Sequence, residues 1–266
     1  MAKIRLCLIL LLSINSMFLK AQQNCDSIVY LHSKVNNFGI GRITLQNNFI
    51  SPLIHSGVGF QVNSASFKEI KHALWNNYST ISAGSLINRA NNYSLIYVGY
   101  NNDFSYLFNL NKCPSKNFKI KAGLSGNVLI DLIYKPANIN NQSAYKVSAN
   151  IGGALFLSYK VVKLKNIEIG NLLTFPLAGV MSLSSYGKSL PDYDHFISNI
   201  VFSNWSKNKG FNNNLFIDIK SKSISKFINS SWRIGYNVNY SAQPNPNNQK
   251  ILSGIFYIGR IVNIYN

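Results

Sequence analysis

Cysteine, acidic residues and long apolar runs are all scarce in this 266-residue chain. Three cysteines, with no CxxC pair and no histidine at a zinc-ligand spacing, exclude a disulfide-built scaffold and a zinc module. Charged residues make up only 13% of the chain, about half the roughly 25% usual in soluble domains, and the few acids, 8 against 26 Lys and Arg, leave +18. No run approaches the roughly 20 apolar residues of a spanning helix. Helical periodicity is missing too, apart from a turn over 67–75, and there is no fixed-period repeat and no composition shift. The chain therefore reads as one domain. No GxSxG nucleophile elbow occurs, and GIGRIT (39–44) and GVGFQV (57–62) lack the third glycine and the following helix of a nucleotide loop, so they read as crowded strand segments.

What the chain does have begins with its leader. Lys3 and Arg5 precede the apolar run Leu6–Leu12, and a short polar stretch ends at Ala21, the layout of a signal peptide over 1–21 followed by one domain over 22–266. Removing Lys3, Arg5 and Lys20 leaves 23 basic side chains against 8 acidic ones, so export does not account for the excess charge. An exported chain that is 47% hydrophobic, low in charge and without a spanning helix fits an all-β transmembrane antiparallel up-and-down β-barrel. A secreted β-sandwich binding module is the alternative.

Alternation supports the barrel. In FKIKAGLSGNVLIDL (118–132) the even positions from Phe118 to Leu132 are apolar or small, and Lys119, Lys121, Ser125, Asn127 and Asp131 oppose them; only Leu129 breaks the pattern. In SWRIGYNVNY (231–240), Trp232, Ile234, Tyr236, Val238 and Tyr240 oppose Arg233 and Asn237, with aromatics bracketing the aliphatic centre as in an interfacial girdle. The same reading places strands at 27–36, 39–49, 56–68, 76–87, 92–108, 118–133, 145–162, 166–181, 196–206, 210–221, 229–241 and 250–264, about twelve. Asn36-Asn37 is the weakest boundary. Several of these exceed the 5–6 residues of a globular strand, which favours a barrel over a sandwich. With periplasmic termini, the twelve-strand parity puts Cys113 on the external side and Cys25 on the periplasmic side, predicting two free thiols. It also puts the long connections 134–144 and 182–195 on the periplasmic side, where turns are normally short.

Assigning the polar face to the interior gives a lumen lined by Lys119, Lys121, Ser125, Asn127, Asp131, Lys146, Asn150, Lys160, Asp218 and Arg233. Their basic members either bias passage toward small anions or are simply solvated. Loop cations face lipopolysaccharide phosphates, with outer-membrane lipid as the other partner. Lysines spread over strands and turns argue against nucleic acid. Ser184, Ser185, Asp192, Asp194 and His195 are close in sequence and raise the alternative of a lipid hydrolase with His195 as base, but Gly, Pro, Ser and Asp are also what a polar loop requires. The reading is therefore of no enzyme, no metal and no cofactor.

Four stretches carry a resemblance: Gly39-Ile40-Gly41 followed by Phe49-Ile50-Ser51-Pro52-Leu53; Phe175 to Val180 with Tyr186 to Ser189; Trp232 to Tyr236; and Phe256 to Gly259. In that order they resemble an uncharacterised outer-membrane β-barrel family, a domain of unknown function common in gut-dwelling Gram-negative anaerobes. The resemblance implies a barrel and no activity. The family usually shows Asp-Thr-Tyr before its Leu-Ser-Pro, where this chain has Gln46-Asn47-Asn48-Phe49-Ile50. The expected role is a narrow outer-membrane channel or a structural envelope protein. On that footing Val128→Arg should impair membrane assembly and Asn127→Arg should be tolerated.

Overall fold

The computed structural model describes residues 31–70, 73–88, 90, 93–110, 117–137, 143–162, 164, 166–184, 200–223, 228–243 and 248–265. The leader, Cys25, Cys113 and 185–195 lie outside them. Long strands dominate: β1 (Leu31–Asn47), β2 (Ser51–Ile70), β3 (Ala73–Ile87), β4 (Ser94–Asn109), β5 (Phe118–Tyr134), β6 (Ser143–Lys160) and β7 (Ile167–Leu183) are followed by a short β8 (Val201–Asn204) and then by β9 (Lys209–Ser223), β10 (Ile228–Gln243) and β11 (Gln249–Tyr265). All pairings are antiparallel and join chain neighbours, except that β7 also pairs with β9 and β1 closes on β11; β8 pairs with β7. The result is a closed ten-stranded barrel with one strand outside the ring.

The barrel class stands, and the count of about twelve is corrected to ten at two places. Segments 27–36 and 39–49 form one strand, because Asn36 and Asn37 fall on opposite faces and β1 pairs unbroken through them with β2 and β11. Among its described residues, segment 196–206 contributes the four residues of β8, which lie outside the ring. The helical turn over 67–75 is also absent from the described residues, since Phe67–Ile70 and Ala73–Trp75 belong to the paired strands β2 and β3.

Losing two crossings changes the end at which the later loops lie. The β5–β6 and β7–β8 connections now share an end with the tight β1–β2 turn, opposite the termini. The conflict of long connections on the short-turn side disappears. β4 ends and β5 begins at the same end as Leu31 and Tyr265.

The outer surface is apolar. Phe38, Ile40, Val58, Phe60, Val62, Leu124, Ile151 and Phe256 are all exposed on it. Trp75, Tyr106, Phe108, Phe118, Tyr159 and Trp232 lie on the outer face toward the terminus end, and Tyr134, Trp205 and Tyr240 toward the opposite end. These are two aromatic belts of the kind that flank a lipid-facing band. The polar side chains within the surface pair with neighbours, as Ser79 does with Asn102 at 2.7 Å and Arg260 with Ser230 at 2.7 Å.

One interruption shapes the wall. Pro176 in β7 has no N–H to donate, and β7 bulges at Leu177, between the Ala178–Ile151 and Pro176–Gly152 pairs with β6. On its other edge β7 pairs with β9 up to Thr174–Asn212 and with β8 from Ala178–Asn204, so the neighbouring chain leaves the ladder over 205–211 and rejoins it. Trp205 in that excursion packs edge-on against Phe175 on the outer face, centroids 6.4 Å apart.

A candidate site inside a closed lumen

Small barrels are filled by side chains, and this one is filled in layers. At the end opposite the termini, Ile43, Leu45, Leu86, Leu95, Ile133, Ile251 and Ile255 form an apolar cap with Phe49 and Ile50 of the β1–β2 turn. Asn47 directs that turn inward, its Oδ1 accepting the Phe49 amide N–H at 2.9 Å and its Nδ2 donating to Gln249 at 3.1 Å. The Asn-Asn-Phe-Ile stretch, read from sequence only as a family departure, is thus the stopper of that end.

Below the cap lies a polar layer. Asp103 on β4, only 3% exposed, accepts from Asn101 at 2.7 Å, Asn127 at 2.9 Å and Asn212 at 2.7 Å. Three strands separate β4 from β9 on the shorter way round the ring, so the Asn212 bond crosses the lumen. Asn127 also donates to Asn101 and accepts from Asn150, and Asn208, turned in by the excursion after β8, donates to Asn150 at 3.1 Å. Lys146 donates to Ser241 at 2.7 Å and Asn208 at 3.2 Å and faces Asp131 across the β5–β6 ladder; Asp131 accepts from Tyr97 at 2.8 Å. A Cβ on Gly99 would collide with the Tyr97 hydroxyl, so glycine there is what lets Tyr97 lie along the wall and reach Asp131.

A third layer seals the lumen toward the termini. Arg233 on β10 makes a two-pronged pair with Asp218 on β9, Nε to Oδ1 at 2.7 Å and Nη2 to Oδ2 at 2.8 Å. Its guanidinium lies 3.7 Å from the centroid of the Phe216 ring and 5.2 Å from that of Phe67. Tyr78 is buried, and Tyr257 donates to Asn214. Beyond this layer opens a cavity of about 360 Å³, where Lys119 at 2.9 Å and Lys121 at 2.8 Å share one oxygen of Glu69. Lys160, Asp218 and Arg233 line it as well. The polar layer holds spaces of only about 40 and 10 Å³.

The predicted lining residues therefore divide between two compartments. Lys119, Lys121, Lys160, Asp218 and Arg233 border the terminus-side cavity; Ser125, Asn127, Asp131, Lys146 and Asn150 sit in the polar layer, together with Leu129, the one misfit of its alternating stretch. This packing corrects the expectation that Asn127→Arg would be tolerated, since Asn127 is held by three amide and carboxylate partners at a height with no room for a longer side chain. Sequence reasoning passed over Glu69, Asn212, Phe67 and Phe216, and set Asp103 on the polar face of its strand without naming it as a lining residue. Parity along β9 could have found Phe216, which shares a face with Asn214 and Asp218, but aromatic character pointed it outward. Ser184 is occupied in extending the β6–β7 ladder, where it accepts the Tyr145 amide at 2.6 Å. Among the described residues no three His, Cys, Asp or Glu side chains come together as a metal site.

Residues 4–266 match the model of a family described as "Protein of unknown function (DUF3316)". Among solved structures the barrel is similar to the outer membrane protease OmpT from Escherichia coli, with 7% identity, a TM-score of 0.50, and coverage of 89% of this chain and 97% of that one. It is also similar to Neisserial surface protein A (9% identity, TM-score 0.38, 89% and 99% coverage). The translocator domain of the autotransporter NalP from Neisseria meningitidis matches at 8% identity with a TM-score of 0.39 over 93% and 94% of the two chains. No curated protein matches the sequence. At such identities the OmpT likeness speaks to fold alone, an antiparallel closed barrel of the outer-membrane type.

Proposed function

The chain belongs to the DUF3316 family of proteins of unknown function, and from that premise we propose that it is an integral outer-membrane barrel with a closed lumen, a structural envelope protein in place of an open pore. The observation that carries this is the cross-lumen bond from Asn212 to Asp103, stacked between the apolar cap and the Arg233–Phe216 layer. Each layer spans the interior, and the spaces between them are smaller than a solute pathway requires. Wide aqueous pores belong to barrels of about 16–18 strands, and ten strands leave an interior that side chains can fill.

In this reading residues 1–21 direct export, the apolar band between the two aromatic belts meets lipid, and loop cations meet lipopolysaccharide phosphates. The reading assigns no catalytic role, and Ser184, the described member of the Ser-His-Asp cluster, has its hydroxyl engaged with the backbone of Tyr145. Two measurements test the proposal. Fractionation should place the protein with the outer membrane, with heat-modifiable migration in a detergent gel. Planar-bilayer recording should show no sustained conductance; stable single-channel steps would return the protein to the channel class.

A further inference from the structure

We propose that the terminus-side cavity is a binding site for a small organic anion, a carboxylate or phosphate carried on an apolar body. Its volume of about 360 Å³ falls in the range of small-molecule pockets, roughly 300–1,000 Å³. Five cationic side chains line it against three carboxylates, Glu69, Glu168 and Asp218. Lys119 and Lys121 share a single oxygen of Glu69, and among the described residues Lys160 and Lys220 form no ion pair. Glu168 stands opposite Lys160 across the β6–β7 ladder, so the lining as a whole carries a net excess of two positive charges.

The second observation is in the wall of the cavity, which Arg233 lines. Arg233 is buried, its Nε and Nη2 are committed to Asp218, and its Nη1 has no hydrogen-bond partner. A buried donor left open costs stability unless something accepts from it, and carboxylate and phosphate oxygens are the acceptors that guanidinium binds best. The remaining wall fixes the other half of the ligand. Phe67 and Phe216 flank the guanidinium, and Leu74, Phe156 and Ile261 continue the apolar surface. A bare inorganic anion would leave that surface in water. An aryl or short alkyl body covers it.

The site rests on the closed barrel and is independent of whether the barrel conducts. Its test is calorimetric titration of the full chain in lipid nanodiscs, against empty nanodiscs, with 1-naphthoate, phenyl phosphate, inorganic phosphate and the neutral 1-naphthalenemethanol. One molecule of naphthoate or phenyl phosphate should bind per chain, with the alcohol and inorganic phosphate weaker by about tenfold or more. Which of the two acids binds tighter separates a carboxylate from a phosphate ligand. Arg233→Lys, which keeps the charge and removes the open N–H, should weaken binding about tenfold. Because that variant touches a buried pair, the rim variant Lys160→Gln/Lys220→Gln provides a second reading and should also weaken it. Equal binding of the alcohol, unchanged affinity in the rim variant, inorganic phosphate binding as tightly as phenyl phosphate, or heats no larger than those of empty discs would overturn the proposal. Heat-modifiable migration of the same samples reports on the barrel itself, so failure of the fold and failure of the site are distinguishable.

Discussion

Replacing Asp103 by Ala tests the closed lumen most directly. The substitution removes the acceptor of three amide N–H groups, from Asn101 at 2.7 Å, Asn127 at 2.9 Å and Asn212 at 2.7 Å. Each buried donor left unmet costs about 1–3 kcal/mol. Two effects push the sum to the low end. Burying a carboxylate was itself unfavourable, so its removal returns part of the loss. The adjoining space of about 40 Å³ can also admit water to the freed amides. Taking about 1 kcal/mol per donor, the barrel should lose about 3 kcal/mol. The assay is urea unfolding in lipid vesicles, followed by tryptophan fluorescence. Asn212→Ala removes the cross-lumen bond and also the acceptor of Asn237 at 2.7 Å, and should cost about 2 kcal/mol. The double variant should fall short of the sum of the two, because both substitutions remove the same bond. Strict additivity, or a loss from Asp103→Ala below about 0.5 kcal/mol, would mean that no bond spans the lumen and would refute the closed interior.

Other substitutions probe the faces and the cavity. Val128→Arg, on the outer face at the middle of β5, should impair assembly by about 2–4 kcal/mol, while Leu124→Arg, beside the aromatic groove of Trp75, Tyr106 and Phe108 near the terminus end, should cost about 0–1 kcal/mol. Equal costs in vesicle refolding would mean that these depths are assigned wrongly. Asn127→Arg should fail to give a heat-modifiable band, whereas Asn127→Ala should still assemble; a normal Arg variant would place open space where the polar layer lies. Glu69→Gln strips the counter-charge from buried Lys121 and should cost about 1–2 kcal/mol in urea unfolding, less than the 3–5 of a sealed pair because the cavity lets water reach the ammonium. Lys119→Gln, one of two lysines on the same carboxylate and about a third exposed, should change stability by less than about 0.5 kcal/mol.

The class of fold was legible because a strand that meets lipid on one side and a lumen on the other must alternate, and β5, apart from Leu129, and β10 do so over most of their lengths. The number of strands was not. Adjacent asparagines such as Asn36 and Asn37 mark a turn when the backbone needs side-chain partners, yet inside β1 the ladder already satisfies the backbone, and alternation sends one amide in and one out. Pro176 stood in plain view within the second resemblance stretch, but only the pairing on both edges of β7 reveals that the neighbouring chain leaves the ladder beside it. The site was legible in its charges and illegible in its shape. Alternation can put Lys121 and Arg233 on a polar face, whereas the meeting of Glu69 on β2 with Lys121 on β5 depends on barrel diameter, which no local pattern encodes. Inward aromatics such as Phe67 and Phe216 escaped for a related reason, since a small barrel fills its interior with the same residues that coat its exterior.

The excursion that produces β8 leaves β7 and returns to the same edge of it, so it adds residues without adding a crossing. Every later strand keeps its direction and both termini keep their end. A barrel can therefore gain or lose such a segment while its ring stays at ten members. The Ser206–Lys207 corner, exposed and held by short bonds back to Asn204, is accordingly a natural place to insert a reporter peptide, displayed at the end opposite the termini with no strand required to shift register.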